Sequence, residues 1–227
     1  MKDKIAKLKF LDSKKLLLYT LTSLIVIILL QVVGYFLFLN QIPNFLIKFG
    51  WWIVYLDISV ATIAGALWYY ASYQGYVSCM ASMMIGMTLG MQTGMMLGSV
   101  FGAVNGYFIG AMVGMILGTL IGLITGKASI MGMLQGAMSG LMGGTMGAMI
   151  TVMMFTDHVL YFMPFYMFIN IAILAGFVYM YHDEVIKDNK ELVIKNIGIF
   201  SFTLLSVIVS VVLFSLMIYG PKSILFG

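Results

Sequence analysis

Charged positions divide this chain into long apolar stretches. Uncharged runs of 32, 69, 29 and 26 residues occupy positions 16–47, 58–126, 128–156 and 196–221. One helical crossing of a bilayer needs about 20 residues, so the 69-residue run must fold back, and we expect more than one reversal within it. The runs are aliphatic and aromatic without an alternating polar face, which is typical of membrane helices and not of a transmembrane β-barrel.

The pattern predicts an all-α fold, a polytopic transmembrane bundle of about seven helices with a glycine-zipper core. The predicted spans are 16–39, 51–74, 78–103, 107–126, 130–154, 159–181 and 196–219. We expect a basic cytoplasmic tail over 1–15 and a C-terminal tail over 220–227. The transmembrane domain between them covers 16–219, and its Met/Gly-rich core covers 78–154.

The composition agrees with a membrane location. Hydrophobic residues make up 62% of the chain and charged residues 9%, whereas a soluble domain carries about 25% charged residues. All twelve basic residues are lysines, and the absence of arginine argues against nucleic-acid binding. The one cysteine, Cys79, excludes a disulfide framework within the chain and a cysteine-only zinc site.

The distribution of lysines predicts the orientation. Residues 1–15 hold six lysines, and with seven spans ten lysines lie inside and two, Lys48 and Lys222, lie outside. We therefore expect a multi-pass plasma-membrane protein in contact with the lipid bilayer, with a cytoplasmic N-terminus and an external C-terminus. Asp57 interrupts the apolar run of residues 40–75. If that segment does not cross, six spans remain and the C-terminus lies inside.

Glycine recurs at every fourth position through the middle of the chain. The unbroken series is Gly86, Gly90, Gly94, Gly98, Gly102, Gly106, Gly110, Gly114, Gly118, Gly122 and Gly126, and Gly132, Gly136, Gly140 and Gly144 repeat the spacing. In lipid, small residues at this spacing let helix backbones approach closely, and van der Waals packing then holds the helices together. The series predicts dense helix packing, although a narrow pore or an oligomer interface would suit the same pattern.

The first glycine series is too long for one crossing. From Gly86 to Gly126 a continuous helix would extend about 60 Å, twice the hydrocarbon thickness. The best candidate for a reversal is Asn105–Gly106, because both residues tolerate left-handed conformations. We expect a tight helical hairpin with glycine on both contact faces, joined by a third glycine-rich helix over 130–154.

Methionine forms two ladders beside the glycines. The first ladder is Met83, Met87, Met91 and Met95, and the second ladder is Met138, Met142 and Met146. Side chains four residues apart stand about 5–6 Å apart on a helix, so two thioethers can close on one ion. Thioether sulfur selects Cu(I) and other soft cations. The alternative is packing alone, because methionine fills the irregular gaps that glycine leaves.

The MxxxM and GxxxG motifs resemble the transmembrane signature of the eukaryotic high-affinity copper transporter family. That family carries a methionine pair on its second span and GxxxG on its third, and Met83/Met87 and Gly110/Gly114 are the counterparts here. It has three spans and a Met-rich extracellular tail, which this chain lacks. Residues 78–154 also resemble Met/Gly-rich multispanning proteins of Gram-positive bacteria, some of which accompany copper-handling genes. Both resemblances imply Cu(I) as the ligand.

Isolated polar residues are further candidates. Asp57 would be a proton or cation site if it lies within the membrane, or an interfacial residue if it lies in the outer aromatic belt. Cys79 could add a thiolate to a metal site, or be an inert small residue. Three further residues, Asp157, His158 and His182, lie beside the ends of predicted spans. They could take up or release a cation at opposite membrane faces, or transfer protons. The alternative is that they belong to ordinary hydrated loops. Interhelical hydrogen bonds are expected for Gln92, Asn105, Gln135 and Asn170.

These observations leave three hypotheses for function. No motif of hydrolases, nucleotide-binding proteins or zinc proteases occurs, so we expect no enzyme. The first hypothesis is a membrane protein that binds or conducts Cu(I) through the methionine ladders. The second is a structural subunit whose glycines mediate packing in a homo-oligomer or a membrane complex. The third is a channel for another small solute, lined by glycine carbonyl groups.

Overall fold

The computed structural model describes residues 18–32, 45–154, 159–186, 193–194 and 199–221, which form an all-α bundle. Within these ranges there are seven α-helices: α1 (Leu18–Val32), α2 (Phe45–Ser72), α3 (Cys79–Asn105), α4 (Tyr107–Thr125), α5 (Ile130–Met153), α6 (Val159–Tyr181) and α7 (Ile199–Tyr219). Each overlaps one predicted span, although α2 begins six residues before the predicted start at residue 51. The predicted fold class is therefore confirmed.

Four segments of the described chain are long and apolar enough to cross a membrane. They are Phe49–Ser72, Tyr107–Thr125, Val159–Glu184 and Phe200–Tyr219. Helices α3 and α5 are longer than α4, but their glycine, serine, threonine and glutamine residues make them less apolar. Such helices fit an integral membrane protein, and the number of crossings and the orientation remain predictions.

Among the described helices, α3, α4 and α5 pack most closely against one another. Their glycines face one another, and a methyl group placed on Gly90 would lie 2.7 Å from the carbonyl oxygen of Gly136 and 3.1 Å from Cα of Gly122. Along these contacts, residue numbers increase in the same direction on α3 and α5 and in the opposite direction on α4. Helices α3 and α5 are therefore parallel, and α4 is antiparallel to both.

The glycines stack in layers that we call the glycine core. Successive layers along the axis are Gly86/Gly126/Gly132, Gly90/Gly122/Gly136, Gly94/Gly118/Gly140, Gly98/Gly114/Gly144 and Gly102/Gly110/Ala148. Because most contacts in these layers are between backbones, the three helices approach more closely than side chains would allow. The interface is thus as dense as the sequence predicts.

The predicted reversal at Asn105–Gly106 is confirmed. Helix α3 ends at Asn105, α4 begins at Tyr107, and Gly106 between them has φ 89° and ψ 168°. Only glycine adopts this region without strain. The starts of α3 and α5 are fixed by serine caps, in which Ser78 Oγ accepts from the Ala81 amide at 3.2 Å and Ser129 Oγ accepts from the Gly132 amide at 3.0 Å.

An outer layer of α2, α6 and α7 packs on α3, which is the central helix of the bundle. Asn105 anchors this layer, because its Nδ2 donates to the carbonyl oxygens of Met217 at 3.3 Å and Pro221 at 3.2 Å. A two-residue antiparallel ladder pairs Tyr73–Gln74 (β1) with Val193–Ile194 (β2). It ties the segment after α2 to the segment before α7.

The four predicted interhelical hydrogen bonds have different outcomes. Asn105 and Gln135 do bond to other helices. The expectation for Asn170 is wrong, since its Nδ2 donates to the Tyr166 carbonyl one turn earlier in α6 at 2.8 Å. Gln92 is buried, and within the described residues its Oε1 has no hydrogen-bond donor.

Candidate functional site

The first methionine ladder follows the line where α3 meets α5. A methyl group on Gly143 would lie 2.5 Å from the Met91 carbonyl oxygen, and one on Gly147 would lie 2.5 Å from the Met95 carbonyl oxygen. Here α5 presents backbone and no side chain. We call this line the α3–α5 seam. The backbone of α3 at Met91 and Met95 therefore lies directly against glycines of α5.

One thioether at the seam accepts a hydrogen bond from the neighbouring helix. Gln135 Nε2 donates to Met87 Sδ at 3.4 Å, and Met87 is 39% exposed. The remaining members, Met83, Met91 and Met95, are half-buried. The four methionines of the ladder are thus neither fully buried in the core nor fully exposed at the surface.

The second ladder lies on the outer side of α5. Met138, Met142 and Met146 are 61%, 54% and 48% exposed. At 100° per residue they lie opposite the glycines of the core face, on the arc that also carries Gln135. Both ladders therefore lie outside the glycine core. Gln135 shares the outer arc of α5 with the second ladder and contacts Met87 of the first ladder.

The interior of the glycine core offers little room for a solute. Methyl groups on Gly98 and Gly118 would lie 2.7 Å and 2.9 Å from carbonyl oxygens of Gly144 and Gly140. These distances are shorter than van der Waals contact, so the carbonyl groups are already packed against neighbouring backbone. The channel hypothesis with a glycine-lined path therefore finds no support in the packing of these helices.

Asp57 is buried in the interior of the bundle. It lies within the apolar segment Phe49–Ser72 and is 1% exposed. Its Oδ1 accepts from Gln31 Nε2 of α1 at 2.6 Å and from Ser210 Oγ of α7 at 3.4 Å. Three helices thus converge on one carboxyl group, and neither partner carries a charge.

A groove adjoins this polar cluster. It has a volume of about 310 Å³ and runs between α1 and α7, where both Gln31 and Ser210 line it together with apolar residues such as Ile27 and Phe214. A second groove of about 400 Å³ lies among α2, α3, α4 and α7 and is almost entirely apolar. Only the first of these two grooves reaches the partners of the buried carboxyl group.

The other predicted site residues do not assemble into a site. Asp157 and His158 lie outside the described residues. His182 is buried in a π-helical turn after α6, next to the exposed Asp183 and Glu184, and Cys79 is exposed at the start of α3. Over the described ranges, no group of three His, Cys, Asp or Glu side chains is placed to hold a metal ion.

Sequence reasoning missed Gln31 and Ser210. Gln31 is the one amide side chain in the apolar span 16–39, and that isolation was the available signal. Ser210 is one of several serines in α7 and carries no comparable signal. No protein-family model, curated protein or solved structure matches this chain, so its function must be argued from these residues.

Proposed function

We propose that this membrane protein binds Cu(I) through its methionine ladders and passes the ion along them. One observation carries the proposal: the four methionines of the first ladder recur at successive turns of α3, and the backbone at two of them, Met91 and Met95, lies against Gly143 and Gly147 of α5. A glycine neighbour adds no side chain from α5 beside Met91 and Met95. A cation bound along the ladder would meet thioether sulfur, with the Gln135 amide beside Met87.

The chemistry of the donors favours a soft monovalent ion. Thioether sulfur is neutral and polarizable, and it prefers Cu(I) to hard cations. Sites formed by one or two thioethers are weak, and weak repeated sites allow an ion to leave as well as to enter. The second ladder, which has one thioether fewer and is more exposed, would provide sites too weak to retain copper through desalting.

We expect copper retention to depend on the first ladder. Purified protein in detergent is exposed to Cu(I) under reducing conditions, desalted and analysed by mass spectrometry for metal content. About one or more copper ions per chain should be retained, since paired thioethers form at least one site. Replacing Met83, Met87, Met91 and Met95 together with leucine should abolish retention, because leucine keeps the volume and removes the sulfur.

The matched control removes the same number of sulfur atoms from exposed positions outside both ladders. It carries Met112→Leu, Met131→Leu, Met133→Leu and Met153→Leu. This control should retain copper like the unmodified protein. Equal copper content in the ladder variant and the control would contradict the proposal, provided that both elute as monodisperse protein.

A different observation favours assembly as the second candidate function. The exposed face of α7 consists of residues such as Leu205, Ile208 and Val212, as expected toward lipid, whereas the exposed face of α5 carries six methionines. These are Met131, Met138, Met142, Met146, Met149 and Met153. Methionine adapts to irregular partner surfaces, so this face suits a second copy or another subunit. Loss of an oligomer without loss of copper, when Met138, Met142 and Met146 of this face are replaced with leucine, would favour this role.

A further inference from the structure

We propose that Asp57, Gln31 and Ser210 form a binding site for a small hard monovalent cation, with Na⁺ as the representative ion. The site is separate from the methionine ladders and does not depend on their binding copper. It lies where α1, α2 and α7 meet. Its donors are oxygen atoms, whereas the ladders offer sulfur.

The first argument is the burial of a carboxyl group without a cationic partner. Asp57 is 1% exposed and lies next to Leu56 and Ser59, which are both fully buried. Its described hydrogen-bond partners are an amide and a hydroxyl group. A buried carboxylate without a compensating cation is costly, and such residues inside membrane segments mark ion pathways. A bound monovalent cation would neutralise the single charge.

The second argument is the donor set. The carboxylate of Asp57 and the hydroxyl of Ser210 are oxygen ligands of the kind that hard cations prefer. Gln31 Nε2 lies within 2.6 Å of Asp57 Oδ1 and 3.5 Å of Ser210 Oγ. A half-turn of the Gln31 amide exchanges its NH₂ group for its oxygen. The same three side chains then present three oxygen atoms to one point.

The third argument is access. Gln31 and Ser210 both line the groove of about 310 Å³ between α1 and α7. The donors therefore border open space, while Asp57 itself lies behind them. A single carboxylate balances one positive charge, so a divalent ion would leave an uncompensated charge in a low-dielectric interior. Together these features point to a monovalent ion that exchanges through the groove.

Carbodiimide labelling tests the proposal on the unmodified protein. N,N′-Dicyclohexylcarbodiimide adds to a protonated carboxyl group in an apolar setting, and the acyl group then migrates to nitrogen to give a stable N-acylurea. Mass spectrometry of peptides locates the product. We expect labelling of Asp57 in choline chloride, and labelling about tenfold slower when NaCl at equal ionic strength exceeds the dissociation constant tenfold, by mass action.

Two serine variants separate a ligand from a packing residue. Ser210→Ala removes one donor and should raise the Na⁺ concentration for half-protection about tenfold, the effect of losing one polar contact to a charge. Ser206→Ala is the matched control, because Ser206 is also buried on α7 but donates to the Phe202 carbonyl of its own helix at 3.0 Å. It should leave protection unchanged.

Three results would overturn the proposal. The first is the absence of Asp57 labelling in choline chloride. The second is labelling that Na⁺ does not slow, which would leave Asp57 with a proton or a structural role. The third is an equal change in Na⁺ protection in Ser206→Ala and Ser210→Ala. None of these results bears on copper retention, so the failure of this site and the failure of the ladders are distinguishable.

Discussion

Replacing Gly94 with alanine should destabilise the protein by about 2–3 kcal/mol, because overpacking of a rigid interface costs about this much. The added methyl group would lie 2.6 Å from the Gly144 nitrogen, 2.8 Å from the Gly140 carbonyl oxygen and 2.9 Å from the Gly143 carbonyl carbon. All three atoms belong to the backbone of α5, so no side chain can rotate away. Helices α3 and α5 would have to separate.

The measurement is the temperature at which half of the detergent-solubilised protein is lost from its monodisperse size-exclusion peak. For Gly94→Ala this temperature should fall by about 5–10 °C. The matched control is Gly176→Ala in α6, where an added methyl group would meet nothing within 4 Å. The control should equal or exceed the stability of the unmodified protein, since alanine favours a helix over glycine. Equal stability of the two variants would contradict the glycine core.

Replacing Gly106 with alanine should cost about 1–3 kcal/mol for a different reason, namely backbone strain. Gly106 joins α3 to α4 with φ 89° and ψ 168°, a conformation that a side chain at Cβ makes unfavourable. The strain would loosen the hairpin and the contact between Gly102 and Gly110 beside it. The same size-exclusion measurement applies.

Gly176→Ala again provides the reference, because it changes the same atoms at a helical position without crowding. If Gly106→Ala is lost from the monodisperse peak at the same temperature as this reference, the turn does not need its left-handed backbone. A protein that melts earlier but keeps its helical circular dichroism below the transition is the expected outcome. This outcome would show that the loss of stability arises in the turn and not in the helices.

The helices and their central hairpin could be predicted because they depend on local spacing. A glycine at every fourth position over more than one membrane thickness requires a reversal, and Asn105–Gly106 is the turn signal within that stretch. The three-way layering could not be predicted in the same way. It depends on which glycine faces meet, and the pairing of α3 with α5 in parallel follows from the position of α4 between them in sequence.

A second glycine stripe also escaped prediction. Gly143 and Gly147 lie four residues apart, but they stand one position before and three positions after Gly144, which belongs to the main series. Only the packing reveals that they contact Met91 and Met95. The seam on which the first ladder lies is therefore a property of tertiary structure, although the ladder itself is visible in the sequence.

The buried carboxyl group shows the same limit. The position of Asp57 in an apolar run marked it as a candidate but left open whether it lies within the membrane or in the outer aromatic belt. Its partners are 26 residues away in the sequence at Gln31 and 153 residues away at Ser210. No periodicity links such distant positions. The polar cluster becomes visible only when α1, α2 and α7 are brought together.

The central claim, that thioethers hold Cu(I), is tested most directly by X-ray absorption at the copper K edge. The sample is Cu(I)-loaded protein carrying Cys79→Ser, which removes the one thiol of the chain, so that any sulfur ligand must be methionine. We predict a first coordination shell dominated by sulfur, which disappears when the first ladder is replaced by leucine. A first shell of nitrogen or oxygen atoms, or a sulfur shell that persists without the ladder, would contradict the account.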